Sequence, residues 1–403
     1  MDTDLKIRIK SSIKKLVLVV LIASGYWLTA NPAFGAWIEN IVDTDASSHI
    51  SLSIDSNGFA NMFYMGTGND LRYAKFNGVG WDVQIVDSVG AVGAYTSISI
   101  DNNGYAHASY WDIVNSDLKY AAFNGSGWDI QVVDSSNVGL YTSIATDSDN
   151  YAHISYFDSS SSDLKYAQFN GTGWDVVTLD STGYVGTYTS MVVDSDGYSR
   201  ISYCDGTNFG LKYAQYNGTG WEISTITSGG NVLSYSSIDI GSSGDVYIAY
   251  EDAGDQDLKL AQFNGTGWEI QTVDTGMFAQ PSGYLSLKLD SNERPYISYI
   301  TNDGQYSLNL AYFNGTGWEI EVLAVGLAAS GGQPLEKSID LYNDYVYASY
   351  AVSGGYLAII TNAPQGFVDE PSLNILGIII IIFILLTCLW SGNQRLPLGP
   401  RPN

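Results

Sequence analysis

Cysteine is nearly absent from this chain: there are two in 403 residues, Cys204 and Cys388. Two thiols cannot staple a disulfide scaffold, and Cys388 lies in an apolar run that leaves Cys204 without a partner. Basic side chains are also scarce. Seventeen Lys and Arg stand against 42 Asp and Glu, for a formal charge of −25, so no basic face is available to neutralise nucleic-acid phosphates. Outside two apolar runs no window sustains the 3.6-residue period of an amphipathic helix. With 45% apolar and only 15% charged residues, the chain has material for a large core, which excludes disorder. What is abundant is glycine (43), tyrosine (30) and tryptophan (10).

The two apolar runs mark the ends. Residues 1–35 have the form of an export signal. Lys6, Arg8, Lys10, Lys14 and Lys15 make a basic head, Leu16 to Ala23 an apolar stretch, and Ala33-Phe34-Gly35 a small-residue cleavage site. An uncleaved anchor is the alternative. Residues 373–390, LNILGIIIIIFILLTCLW, would cover about 27 Å as a helix, close to one hydrocarbon core. Arg395 and Arg401 follow in the 391–403 tail, which places that tail in the cytoplasm and residues 36–371 outside. Glu370-Pro371-Ser372 before the span, with basic residues after it, resembles bacterial C-terminal sorting tails of the PEP type, which would exchange the span for another anchor. Without leader and tail, ten basic side chains face forty acidic ones. Such a field keeps a surface protein soluble and repels anionic partners.

Between the ends, the string F-N-G-x-G-W starts at Phe76, Phe123, Phe169, Tyr216, Phe263 and Phe313, at intervals of 46 to 50 residues. Periods of this size with strand-like content indicate propeller blades. Each unit holds four short segments, in the second unit Tyr95–Asp101, Tyr105–Asp112, Asp117–Phe123 and Trp128–Asp134, rich in Ile, Val, Tyr and Trp and separated by Gly, Asn and Asp. Asn124-Gly125 and its equivalents supply the positive backbone angles of a tight hairpin.

Seven Trp occupy one repeat position: 37, 81, 128, 174, 221, 268 and 318. Trp37–Asp43 is a lone fourth strand, while Ser338–Leu341, Tyr345–Tyr350 and Tyr356–Thr361 are three strands lacking a fourth. A radial array must bury its edges. The two ends therefore complete one another. The prediction is an all-β, seven-bladed β-propeller over residues 36–363, with four antiparallel strands per blade. The N-terminal strand pairs with the last three strands to close the ring. A 364–372 linker and a C-terminal transmembrane helix follow.

Ile98-x-Ile100-Asp101, Gly104-Tyr105-Ala106-His107-Ala108-Ser109-Tyr110 and Leu118-Lys119-Tyr120-Ala121 resemble secreted prokaryotic β-propeller repeats of the IDSxGxxHISYYD…LKYA type. These are similar at fold level to the fucose-specific-lectin-like and sialidase-like propellers. The resemblance covers about residues 37–362 and implies architecture rather than chemistry. Sialidase-like sites need three clustered Arg, whereas Arg72, Arg200 and Arg294 fall at non-equivalent repeat positions. No Arg recurs as it does in fucose-binding blades. Sugar binding is implied by the fold alone.

Three sets of residues are candidates for a ligand site. Tyr95, Tyr141, Tyr188, Tyr235 and Tyr284 mark the starts of the innermost strands, after loops such as Val89–Ala94 and Met277–Gly283. Asp112, Asp158, Asp205 and Asp252 end the second strands on the same rim. Aromatics beside carboxylates around a funnel suit sugar rings; packing between blades and capping of turns are the structural alternative. His107, His153 and Arg200 share one variable polar position with Asn61, Tyr247, Tyr296 and Tyr347, and line a ligand site or fill between blades. The two His have no short zinc spacing. No cofactor is required; calcium is the one candidate ion, at acidic turns such as Asp194-Ser195-Asp196-Gly197. The sequons at Asn124, Asn170, Asn217, Asn264 and Asn314 mark either glycans or hairpin turns. The resulting reading is a monomeric, membrane-anchored surface module that binds an extracellular glycan or surface protein, with a glycosidase-like enzyme or a purely structural envelope protein as alternatives.

Overall fold

The computed structural model describes residues 29–31, 35–232, 234–275, 285–302, 305–327, 337–352 and 355–363. These residues form seven antiparallel sheets. Six are continuous in sequence: blade 1 (46–87), blade 2 (92–134), blade 3 (138–180), blade 4 (185–227), blade 5 (236–274) and blade 6 (286–327). Blade 7 joins Gly35–Asp43 to Lys337–Tyr342, Tyr345–Val352 and Tyr356–Thr361, with Ile38 opposite Thr361 and Ile41 opposite Ala358. The ring of seven is thus closed by a composite blade, as the complementary ends require. Thr29–Asn31 adds a fifth strand beside Gly35–Trp37; cleavage after Gly35 would remove it. Residues 1–28 of the leader, the linker, the apolar span and the tail lie outside the described residues. Among the described residues no helix is long and apolar enough to cross a membrane.

In blade 2 the strands are Val92–Ile100, Ala106–Asp112, Asp117–Phe123 and Trp128–Asp134. The last two coincide with the segments read from sequence. The innermost strand begins earlier and takes in Val92–Ala94, because a bulge carries it past Tyr95. Gly93 and Tyr95 have φ of 92° and 53°, and the register with the second strand jumps between Val92, Ala94 and Ser97. Blades 3 and 4 repeat the device: a Cβ on Gly139 or Gly186 would lie 2.8 or 2.6 Å from the Cα of Leu118 or Leu164 in the preceding blade. Glycine is what lets the blades approach there.

Consecutive innermost strands belong to different sheets, so their inward amides need other acceptors. Serine supplies them. The amides of Ile98, Ile144, Met191, Ile238, Leu287 and Ile339 donate to the hydroxyls of Ser51, Ser97, Ser143, Ser190, Ser237 and Ser286, at 3.0–3.3 Å. Each serine belongs to the blade before. Further out, the terminal aspartate of one blade receives the Lys and Tyr of the next: Asp87 takes Lys119 and Tyr110, and Asp180 takes Lys212 and Tyr203. At the periphery the recurring Trp covers the aromatics of the preceding blade, as Trp128 does Phe63 and Tyr73 at 5.4 and 5.1 Å. Its indole donates to that blade's outer strand: Trp128 to Gln84, Trp174 to Gln131, Trp318 to Gln271 and Trp37 to Glu321. Such edge-to-face pairs contribute about 0.5–1.5 kcal/mol each beyond their buried area.

Two predictions follow from these junctions. Ser143→Ala leaves the Met191 amide without its acceptor and should lower unfolding stability by about 1–3 kcal/mol; an unchanged denaturant midpoint would contradict the assignment. The second concerns acid. Burial favours protonation of Asp87 and Asp180, but the lysine, tyrosine and backbone donors outweigh it and hold both carboxyls below 3.8. Their contribution is present above the unfolded value and is lost as pH falls through the native one. His107 and His153 lie below 6.5 because burial outweighs the pull of Asp101 and Asp147, and burial pushes His49 down to about 4. A histidine held neutral makes the unfolded chain bind more protons, so stability falls as pH drops below 6.5. The unfolding midpoint should decline from about pH 6.5 downward and more steeply below about 3.8. A flat profile between pH 7 and 5 would contradict the histidine assignment.

Candidate functional site

The antiparallel register divides the sequence candidates between two faces. Val92 lies opposite Asp112, whereas Ser99 lies opposite His107. The face at Asp112 carries the connections between blades. The other, the hairpin face, carries the turns from first to second and from third to fourth strand; the outer strand of blade 7 starts there at Gly35 and its third strand ends there at Thr361.

On the connection face Tyr95, Tyr141, Tyr188 and Tyr235 stand side by side with His49 around the channel. Successive ring centroids from His49 to Tyr235 are 4.9, 4.8, 4.3 and 4.4 Å apart. These rings are half-buried against one another. Burial and the neighbouring Tyr141 raise the Tyr188 hydroxyl well above its ordinary value. Tyr284 lies outside the described residues. The aspartates share this face but are buried and capped. Asp112 accepts from the amides of Val114 and Asn115, Asp158 from Ser160, Asp205 from Asn208, and Asp252 from Gly254 and Lys259. Their oxygens shape the turns.

On the hairpin face His107, His153 and Arg200 sit on successive blades and do not converge. His153 and Arg200 each tie down the aspartate of their own first hairpin, Asp147 at 3.1 Å and Asp194 at 2.7 Å, while His107 Nε2 stands 3.5 Å from Asp101 without a hydrogen bond. Asp194 also accepts the amides of Asp196 and Tyr198, so the turn offered as a calcium loop is held by protein donors. Among the described residues no cluster of His, Cys, Asp and Glu could hold a metal ion. The sequon asparagines are engaged too. The Asn124 side chain accepts from the Ser126 and Gly127 amides and donates to Asp129, all at 3.0 Å, and the other four make the same turn.

The indole latch is missing where Trp81, Trp221 and Trp268 face Asn40, Val177 and Ser224, and at one of these junctions further departures from the repeat coincide. A cavity of about 430 Å³ opens on the hairpin side between blades 3 and 4. Three changes from the repeat meet there. Where other blades place Gln84, Gln131 or Gln271, blade 3 has Val177, which offers the Trp221 indole no acceptor. Where they have Phe, blade 4 has Tyr216. Where they have Ala, Val or Pro, blade 4 has Ser199. Tyr198, Tyr216 and Trp221 form an aromatic wall with centroids 5.8 and 5.7 Å apart, and Trp221 meets Tyr166 edge-on at 4.9 Å. Asp175, Gln168, Ser199 and His153 supply polar groups. Burial holds the His153 imidazole below 6.5 and therefore neutral at pH 7, the state in which Nε2 donates to Asp147 at 3.1 Å and Nδ1 accepts from Tyr166 at 2.5 Å. Ser199 Oγ lies 3.2 Å from both His153 Nδ1 and Tyr166 Oη. Of the residues offered in sequence as ligand contacts, only His153 lines this cleft; Tyr216, Trp221 and Gly197 entered the sequence reading as repeat and turn positions. The signal that could have found the rest was departure from the repeat: Tyr216 breaks the F-N-G string in plain sight.

No protein-family model and no curated protein matches the chain. Solved structures do. The fucose-specific lectin from Aleuria aurantia superposes with a TM-score of 0.53 at 15% identity, over 72% of this chain and 100% of that one. AofleA from Arthrobotrys oligospora gives 0.52 at 13%, over 72% and 90%. A PL25 ulvan lyase bound to -[GlcA(1-4)Rha3S]- gives 0.55 at 14%, over 82% and 95%. At such identities the likeness establishes the propeller fold alone. The Aleuria lectin is described as six-bladed, one blade fewer than here.

Proposed function

We propose that this chain is an exported, membrane-anchored propeller of the secreted prokaryotic repeat type, and that it binds surface glycan in the cleft between blades 3 and 4. The observation that carries this reading is the meeting of Val177, Ser199 and Tyr216 in one aromatic-walled cavity. Each breaks the repeat, and together they remove a latch and add two hydroxyls. Sugar rings stack on aromatic faces and exchange hydrogen bonds with carboxylates, amides and hydroxyls. The sugar-binding and polysaccharide-cleaving neighbours agree with this assignment. Binding is favoured over glycoside hydrolysis because Asp175 is the one carboxylate among the residues lining the cleft, and hydrolysis by the usual routes needs two. A purely structural envelope protein would not need such a cavity.

Anchoring then sets orientation. The chain leaves on the hairpin face, and the nine residues 364–372 reach at most about 30 Å, so the cleft looks toward the membrane and the tyrosine collar away from it.

Trp221→Ala should weaken glycan binding at least tenfold. Val177→Gln, which restores the repeat acceptor, should close the cleft and weaken binding as much while stability holds or rises. Calorimetry and thermal unfolding check both, and a Val177→Gln protein that binds normally would overturn the site. For orientation, the full chain is reconstituted in liposomes with a fluorophore at Thr219→Cys or Val114→Cys. A membrane-surface acceptor should quench the first more strongly; equal or reversed quenching would contradict it.

A further inference from the structure

We infer that the cleft between blades 3 and 4 is selective for neutral sugar units and rejects uronic and sulfated ones. This rests on the glycan-binding reading above and narrows it to a substrate class. Charge decides this preference. No Lys or Arg is among the residues lining the cleft. The two basic groups adjacent in sequence to its lining are already engaged: Arg200 donates to Asp194 and to the Tyr216 carbonyl, each at 2.7 Å, and Lys165 donates to Asp134. His153 lies at the back with its imidazole neutral, one nitrogen donating to Asp147 and the other accepting from Tyr166. The one formal charge on the lining is Asp175. Asn170 donates to its Oδ2 at 3.1 Å, and its other oxygen is free to accept a sugar hydroxyl.

A carboxylate or sulfate entering this space would shed water beside Asp175 with no counter-ion to replace it, a cost that hydroxyls do not incur. The surplus of acid over the exterior region adds a long-range repulsion. Neutral rings meet the opposite conditions: an aromatic wall for their apolar faces, and a carboxylate, an amide and a serine hydroxyl for their edges. The volume suits one or two sugar units rather than a long segment.

The test uses the full chain in detergent and matched oligosaccharide pairs that differ only at C6, galactose against galacturonate and mannose against mannuronate hexamers, titrated by calorimetry at 0.15 M salt. The neutral member of at least one pair should bind in a Trp221-dependent manner, with its acid counterpart at least tenfold weaker. Asp175→Lys should narrow or reverse that preference; it removes the exposed Asn170–Asp175 hydrogen bond, and thermal unfolding checks that the fold is kept. An acid member binding within threefold of its neutral partner, still lost in Trp221→Ala, would overturn the selectivity and leave glycan binding standing. Absence of any Trp221-dependent binding, to either member of either pair, would overturn the glycan reading and the selectivity with it.

Discussion

Everything in this molecule depends on a hydroxyl meeting an amide across a gap between sheets. The innermost strands of a propeller have no strand neighbour on their channel side, yet their amides must be satisfied. Here a serine from the preceding blade accepts one such amide at six junctions, from Ser51 to Ser286, and Asp239 and Asp340 accept the amides of Leu289 and Ile54. A side chain that is small and accepts a hydrogen bond is needed at the same place in every unit, so the channel wall has little freedom to vary. Ring contacts between His49 and the tyrosines constrain the next layer. Variation is therefore displaced outward, to the latch between Trp and the outer strand, where losing one acceptor costs a single exposed hydrogen bond. The cleft beside Val177 is such a loss.

The repeat motif resolves into separate jobs under the same logic. In Leu118-Lys119-Tyr120-Ala121 the Leu and Ala are fully buried, the Lys reaches the aspartate of the blade before, and the Tyr meets His107. Where a partner is missing the side chain turns elsewhere. Blade 4 ends in Thr227 instead of an aspartate, and Lys259 of blade 5 pairs within its own blade, with Asp252 at 2.7 Å and Asp255 at 2.5 Å. Departures from the repeat thus have local consequences, and one of them exposes a cavity rather than being healed.

The architecture was readable from the sequence because repetition, alternation and turn chemistry all report on it, and the orphan segment at Trp37 needed the three strands from Ser338 onward. The bulge at Tyr95 was not, since a tyrosine at positive φ is uncommon and the slip shows only in the register with the second strand. The aspartates such as Asp112 were legible as a series, but whether their oxygens face a ligand or their own turn depends on backbone geometry two or three residues away. The candidate cleft was hidden for a different reason: it joins residues from two units, and looking for what recurs draws attention away from positions such as Ser199 that do not.

The central claim is that one irregular junction, rather than the symmetric channel mouth, receives the sugar. A crystal structure of the propeller soaked with a neutral oligosaccharide tests it most directly. The account predicts a sugar ring stacked on Trp221 between blades 3 and 4, within hydrogen-bonding reach of Asp175. A sugar seated on the tyrosine collar, or repeated at every junction around the ring, would contradict it.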